Sequence, residues 1–454
     1  MRRGTIKRSK QLLSVLLFIL AFTLMTQEQI MTYISEGMAK NADILRDGKS
    51  RYDPIRRNAS ALVYDRMVLN LTVSSYQDTI APSSTTTTTT TSTTTESRKY
   101  KTNGERNAAR TIEVCKKYQN FKDKEFPITV RFNRNKSLLF CPIYKVGTTF
   151  WRRVLMIERE RKYSKLVNPY DLPFDREYPS TKLIWRENAT QGVYKVLFTR
   201  DPFNRLFSFF VDKMLAPNPY FWKSVGVKVA ILTRGIKMEN FRSVCGHDIS
   251  FSEFIKYVIY TLETRRNIDP HWVEMNKNCH PCEIKYNFVG KMEEFQEDST
   301  QILTKLGLTK MVLFLNTSGK DAAVDDAIKD TLNQPFSFHT KYKSCVSFKD
   351  ALLRAWKKLQ IRGLIGNDTL DVRQINETTT RLNDMIKRAH LSRHMSSSIM
   401  RKQIKDEMYR KFWSTVPRGD ILKLQKLYAV DFELFGYENY PDIPPAFHSR
   451  EALE

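Results

Sequence analysis

The chain has 454 residues, and its 74 Lys and Arg against 49 Asp and Glu give a formal charge of +25. Length alone allows two or three domains, but the composition of the first hundred residues excludes a folded core there, so one domain of ~330 residues is expected. The charge favours an anionic partner, and a solvated basic surface without a dedicated partner is the alternative.

The N-terminus predicts a membrane anchor. Residues 1–10 carry five basic side chains, whereas residues 11–27 carry no charge. At ~1.5 Å per residue the uncharged stretch spans about 25 Å, close to the ~27 Å of a thin bilayer. The basic tail should stay cytosolic and the rest should be luminal, with a cleaved signal peptide as the alternative. Because both alternatives lead into the secretory pathway, nucleic acid is excluded as a partner.

Residues 28–110 predict an extended luminal stem. Positions 83–95 are all Ser or Thr. Such a tract cannot bury a core and is typical of an O-glycosylated stem or a plain flexible linker. The folded domain is therefore predicted over residues 111–440, followed by a tail over 441–454.

A phosphate-binding turn is predicted where a buried strand over residues 137–143 meets a helix over 149–162. At the junction lie Lys145, Val146, Gly147, Thr148 and Thr149. Unpaired backbone N–H groups at a helix start can hold an anion, the glycine lets the backbone approach it, and the lysine adds a positive charge. The pattern is not a Walker A loop, because the lysine comes before the glycine, so magnesium-dependent ATP hydrolysis is disfavoured.

A second strand-to-helix junction follows. Residues 194–199 predict a buried strand, and Asp201 predicts a helix cap with proline next to it. Arg200 lies at the strand exit, while Arg205 and Ser208 are three residues apart on the helix and can meet Arg200 across one anion. The alternative is a surface ion pair of Arg200 with Asp201 and a solvent-facing Ser208.

Two further blocks complete a set of four ordered motifs. One runs from Asp269-Pro270-His271-Trp272 through Cys279-His280-Pro281-Cys282 to Tyr286-Asn287-Phe288-Val289-Gly290-Lys291-Met292-Glu293, and the other is Leu427-Tyr428-Ala429-Val430-Asp431-Phe432-Glu433-Leu434-Phe435-Gly436-Tyr437. Together the four motifs resemble those of the Golgi carbohydrate sulfotransferases, in the family that contains the HNK-1 and chondroitin 4-O-sulfotransferases. The resemblance covers most of residues 111–440.

The resemblance implies a donor, 3′-phosphoadenosine-5′-phosphosulfate (PAPS), and a fold. By the family pattern, the 5′-phosphosulfate would contact Lys145, Val146, Gly147, Thr148 and Thr149, and the 3′-phosphate would contact Arg200, Arg205 and Ser208. The implied fold is a P-loop-like α/β domain with a mostly parallel sheet flanked by helices, in which phosphates bind beyond the carboxyl ends of the strands. No metal is expected, because a sulfuryl group carries less charge than a phosphoryl group.

The implied reaction is in-line transfer of the sulfuryl group to a sugar hydroxyl, which requires a base and a cation at the leaving oxygen. His271 is the candidate base because histidine titrates near neutral pH, and Asp269 or Glu274 could orient or replace it. A packing role beside Trp272 is the alternative for His271. Lys145 is the candidate cation.

The acceptor is the open part of the prediction. The family follows His-Trp with Pro-Gln, but Val273 and Glu274 stand here, and Asn287 replaces the usual aspartate. Residues 318–387 are longer and more polar than the family pattern and are interpreted as an insertion on the acceptor side. We expect an acidic glycan or proteoglycan acceptor, sulfated on GalNAc 4-O of chondroitin or dermatan in the Golgi. Glucuronate 3-O of HNK-1 type and an N- or O-glycan are the alternatives.

The six cysteines predict disulfides in an oxidising compartment, with fifteen possible pairings. They are Cys115, Cys141, Cys245, Cys279, Cys282 and Cys345. The alternative is a zinc site begun by Cys279 and Cys282 with His271, His280 or Cys245.

Two other function classes deserve comparison. A luminal kinase would need metal-binding carboxylates after a strand, and Asp201 is committed to capping. A non-catalytic, mucin-stemmed glycan-binding protein would explain the stem but not the coexistence of Lys145, Arg200 and Ser208. Protection by PAPS against thermal unfolding separates the sulfotransferase from both.

Overall fold

A computed structural model describes residues 102–121, 126–172, 180–186, 190–236 and 244–441. The predicted cytosolic tail, the membrane span over 11–27 and the Ser/Thr tract lie outside these residues. Within them, no helix is long and apolar enough to cross a membrane. The first helix begins at Asn103, inside the segment predicted as stem.

The centre of the fold is a five-stranded mixed sheet. Its strands are β1 (Phe126–Phe132), β2 (Leu138–Cys141), β3 (Thr181–Trp185), β4 (Tyr194–Thr199) and β5 (Phe288–Lys291). The strand order is β3-β1-β2-β4-β5. The pairs β2–β4 and β4–β5 are parallel, whereas β1 pairs antiparallel with both β2 and β3. The prediction of a mostly parallel sheet thus holds for the three strands that carry the motifs but is wrong for the β1–β3 edge.

Helices make up much of the described chain outside the sheet. They are α1 (Asn103–Cys115), α2 (Thr148–Arg159), α3 (Pro202–Phe209), α4 (Pro219–Phe221), α5 (Val227–Arg234), α6 (Phe251–Thr264), α7 (Met275–Cys279), α8 (Phe295–Lys305), α9 (Thr309–Thr317), α10 (Gly319–Ser337), α11 (His339–Tyr342), α12 (Phe348–Ile361), α13 (Leu382–Met395), α14 (Ser398–Trp413), α15 (Arg418–Leu427) and α16 (Ala429–Phe435). Two π-helical turns, Phe210–Leu215 and Trp222–Gly226, follow α3 and α4.

Separate clusters of buried apolar side chains hold the helices and the sheet together. One buried cluster covers the sheet, where β2 is buried at every position, and a second joins α3 and α6 to α14. The segment 318–387, predicted as an insertion, is largely helical, and its α10 and α12 share a third core with α13. This segment is therefore a packed part of the domain.

Three disulfides tie the described elements together. They are Cys115–Cys282, Cys141–Cys279 and Cys245–Cys345. The prediction of disulfides is confirmed, and the alternative zinc site is excluded at Cys279 and Cys282 because both sulfurs are bonded. No cluster of His, Cys, Asp and Glu within the described ranges could hold a metal ion.

Candidate functional site

The first predicted loop lies between the carboxyl end of β2 and the start of α2. Gly147 is the N-cap of α2 with φ +78°, and no side chain caps the helix. A Cβ at Gly147 would lie 2.2 Å from Cε2 of Phe295. Glycine is needed here both for the backbone angle and for the close approach of the Phe295 ring. Because no side chain caps α2, the backbone N–H groups at its start are available to bind an anion.

Lys145 extends from this loop into a charged cluster. Its Nζ lies 2.7 Å from Oδ2 of Asp212, and Nζ of Lys358 lies 2.7 Å from Oδ1 of the same carboxylate. Burial lowers the pKa of Lys145 to about 8, although Asp212 acts in the opposite direction. Lys145 is thus mostly a cation at neutral pH, but it can lose its proton more readily than an exposed lysine.

The second predicted loop joins β4 to α3. Asp201 caps α3 by accepting a hydrogen bond from the backbone N of Asn204 at 2.7 Å, with Pro202 in the first helical turn, as predicted. Nη1 of Arg200 donates to the carbonyl of Lys145 at 3.3 Å. The two loops are therefore in direct contact, as expected where parallel strands end at one sheet edge.

Arg205 takes a different position from the one its motif implied. Its guanidinium is buried and donates to three backbone carbonyls, at 3.2 Å to Tyr144, 2.8 Å to Val273 and 3.1 Å to Pro270. It does not line the cleft described below. Arg205 joins the first loop to the block that contains His271, so we treat it as a positioning residue and no longer as a phosphate ligand.

His271 lies beside Lys145 and pairs with Asp269. Its Nδ1 is 2.6 Å from Oδ1 of Asp269, which also accepts the backbone N–H of His271 at 2.8 Å. Burial lowers the pKa of His271, and Asp269 offsets part of that effect. An imidazole held through Nδ1 presents Nε2 as the nitrogen that can take a proton, which is the arrangement a general base requires.

A single cleft of about 1720 Å³ brings these residues together. Its lining includes Lys145, Gly147, Thr148, Thr149, Arg200, Ser208 and His271. The side chain of Val146 is buried in the core, so only its backbone could contact a ligand. The structure thus assembles the predicted site except for Arg205 and the side chain of Val146.

The same cleft contains cations that sequence reasoning missed. Arg362 and Lys405 line it together with Arg200. Burial lowers the pKa of Arg200, Glu293 and Asp201 offset part of that effect, and Arg362 lowers it again, while burial and then the charge of Arg200 lower the pKa of Lys405. The three cations lie close enough to act on one another, and Glu293 and Asp406, which also line the cleft, balance part of their charge. Asp212 and Lys213 also line the cleft. Local sequence could have indicated these two residues, because they follow Ser208 by about one helical turn.

Residues of the C-terminal motif support the site from outside the cleft. Oδ1 and Oδ2 of Asp431 accept the backbone N–H groups of Asn276 and Met275 at 2.8 and 2.7 Å. The hydroxyl of Tyr428 donates to the carbonyl of Trp272. The C-terminal motif therefore fixes the segment that follows His271.

The departures from the family pattern also lie away from the cleft. Glu274 is buried and pairs with Arg265 at 2.7 Å, so it is not available to replace His271. Oδ1 of Asn287 accepts the backbone N–H of Lys195 at 2.8 Å beside the start of β4. None of Val273, Glu274 and Asn287 lines the cleft.

Comparisons of the sequence with known proteins give matches to sulfotransferases. A family model described as "Sulfotransferase family" matches residues 129–339. Human "Carbohydrate sulfotransferase 9" is 30% identical over 219 residues, which cover 45% of this chain and 48% of that protein. "Carbohydrate sulfotransferase 12" of Xenopus laevis is 31% identical over 39% of this chain and 48% of its own length, and "Carbohydrate sulfotransferase 11" of Rattus norvegicus is 31% identical over 40% and 54%.

These findings confirm the family resemblance that the four motifs indicated. The chain spans about half the length of the curated relatives that it matches. No solved structure matches the chain. Lys358, Arg362 and Lys405 lie beyond the part that the family model matches.

Proposed function

Residues 129–339 are a sulfotransferase-family domain, and on that premise we propose that the protein transfers a sulfuryl group from PAPS to a hydroxyl of a glycan. The observation that supports the proposal is the convergence of two anion sites and a His-Asp pair in one cleft. One anion site is the uncapped start of α2 with Lys145, and the other is Arg200 with Ser208.

The chain fits a donor with two separate anionic groups. Backbone N–H groups of Gly147, Thr148 and Thr149 would hold the 5′-phosphosulfate, because a helix start favours negative charge. Arg200 and Ser208 would hold the 3′-phosphate, with Arg362 and Lys405, which interact electrostatically with Arg200, adding positive charge. Bound PAPS supplies an activated sulfuryl group; the residues supply position and charge.

His271 would accept the proton of the acceptor hydroxyl at Nε2, since Nδ1 is paired with Asp269. Lys145 would place its ammonium group at the oxygen on which negative charge develops as the sulfuryl group leaves. The depressed pKa of His271 keeps the imidazole neutral near physiological pH, as a base requires. All these contributions are electrostatic or acid–base, and none of them uses a metal.

For the acceptor we propose GalNAc 4-O of chondroitin or dermatan, with glucuronate 3-O of HNK-1 type or an N- or O-glycan as the alternatives. The support is the family resemblance and the basic charge of the chain, which suits an acidic glycan or proteoglycan. We also propose a single-pass type II protein of the Golgi membrane, with the domain in the lumen. Its support is the basic tail and the uncharged stretch over 11–27. Protease protection of the domain in sealed Golgi vesicles checks the orientation.

The deciding experiment uses purified full-length protein with PAPS that carries radiolabelled sulfate. The acceptors are desulfated chondroitin, dermatan, heparosan and oligosaccharides with a terminal glucuronate, and Arg200→Ala is the matched control. Label on one acceptor that is lost in Arg200→Ala supports the proposal and identifies the acceptor. Folded wild-type protein that neither binds PAPS nor transfers label contradicts it.

A further inference from the structure

Three lysines share one carboxylate beside the donor loop. Asp212, in the π-helical turn after α3, accepts from Lys145 and Lys358 at 2.7 Å each, and Nζ of Lys213 lies 3.2 Å away. Lys358 comes from α12 and its side chain is 0% exposed, whereas Lys145 retains 16% exposure toward the cleft. A π-helical turn inside a helix is often found at functional sites.

The unequal burial of these lysines decides which of them can move. A fully buried ammonium group cannot leave its partner without a large desolvation cost, so Lys358 remains on Asp212. Lys145 lies at the cleft surface and can exchange Asp212 for an incoming anion. Because Lys358 and Lys213 still neutralise Asp212 after that exchange, the movement does not leave this half-buried carboxylate without a partner.

We propose that Asp212, anchored by Lys358, is a positioning residue that holds Lys145 in place beside the donor loop and releases its ammonium group to the anionic donor. The inference rests on the proposed function, and it extends the site to α12, in the segment 318–387 that the sequence predicts to be an acceptor-side insertion. That segment therefore contributes to the donor side.

The charges around Lys145 make the proposal testable with two variants of opposite effect. Asp212 and Lys213 face it from the π-helical turn, Lys358 from α12 and His271 from the loop before α7. Arg200 contacts its backbone carbonyl. Burial lowers the pKa of Lys145 to about 8; Asp212 raises it, whereas Lys213 and Lys358 lower it. Removing Asp212 should therefore make Lys145 neutral at lower pH, and removing Lys358 should keep it charged to higher pH.

The first readout needs no donor. Full-length wild type, Asp212→Asn and Lys358→Met are treated briefly with an amine-reactive reagent across a pH series, and labelling of Lys145 is measured by peptide mass spectrometry. We expect the labelling midpoint to fall by about one to three pH units in Asp212→Asn, as loss of a close opposite charge predicts. In Lys358→Met it should rise. Asp326→Asn is the matched control, since Asp326 also lines the cleft but pairs with Arg153. In this variant the labelling midpoint of Lys145 should equal that of the wild type.

The second readout is the pH profile of kcat/KM for sulfuryl transfer. Its alkaline limb should move to lower pH in Asp212→Asn and to higher pH in Lys358→Met, which a purely structural role would not produce. If Lys358→Met does not fold, Lys213→Gln replaces it, because that lysine also acts on Lys145 and is partly exposed. If Lys145 is labelled with the same midpoint in the wild type and in Asp212→Asn, the inference is overturned. A wild type that does not bind PAPS overturns the proposed function instead, while the labelling result still decides the pairing.

Discussion

Replacing Arg205 by methionine should destabilise the domain without removing a contact to PAPS. The guanidinium is only 1% exposed, and it supplies the donors for the carbonyls of Tyr144, Val273 and Pro270. Each buried polar group left without a partner costs about 1–3 kcal/mol. Tyr144 and Pro270 are exposed residues, so water can replace part of the lost bonding, and the expected loss for the three carbonyls is about 3–6 kcal/mol in the free energy of unfolding.

Urea denaturation and PAPS titration together test this assignment, with Arg200→Met as the matched variant. Arg200→Met should lose less stability than Arg205→Met, because it removes one long hydrogen bond instead of three. It should bind PAPS about ten- to one-hundred-fold more weakly, since a hydrogen bond to a charged group contributes about 1.5–3 kcal/mol. Arg205→Lys should recover only part of the stability, because one ammonium group cannot match the planar fork that reaches three carbonyls. Wild-type stability in Arg205→Met, together with the PAPS defect of Arg200→Met, would refute the reasoning.

Two further predictions concern the base and the turn. His271→Asn should lower turnover about 10²- to 10⁴-fold and leave PAPS affinity unchanged. In the wild type, the acid limb of kcat/KM should lie below the ordinary histidine pKa of ~6.5, because burial lowers the pKa of His271 more than Asp269 raises it; a limb above that value contradicts the assignment. Gly147→Ala should weaken PAPS binding and destabilise the fold by more than the ~1–2 kcal/mol of a left-handed residue, because its Cβ meets the Phe295 ring. Gly192→Ala, at φ +76° with nothing within 4 Å, is the control that should show the backbone cost alone, and equal losses in the two variants would exclude the steric contribution.

Local sequence signals predicted the elements that carry the site. The strand over 194–199 and the cap at Asp201 match the structure, because an apolar, β-branched run and a helix cap depend on neighbouring residues. The helix after Gly147 starts within one residue of its predicted position. The antiparallel pairing of β1 was not predicted, since pairing partners are set by contacts between distant segments.

The same limit explains the residues that were missed or misassigned. Arg205 and Ser208 are correctly spaced for one helix face, but the carbonyls that bind Arg205 come from two segments more than sixty residues away on either side. Lys358 and Arg362 lie some 150 residues beyond Asp212 and Arg200, and no local pattern records that approach. The sequence therefore indicated the chemistry of the motifs. Which motif residues can contact a ligand and which only hold other residues in place could be decided only from the fold.

The Cys141–Cys279 disulfide has a consequence for biosynthesis. It joins the end of β2 to the end of α7, 138 residues later, and the neighbouring Cys282 pairs with Cys115. Four thiols can pair in three ways, and none of the pairings that include Cys279 can form until that residue has left the ribosome. Until then Cys115 and Cys141 can pair only with each other, which is not a native pairing. Recombinant yield should therefore depend on a host compartment that catalyses thiol–disulfide exchange.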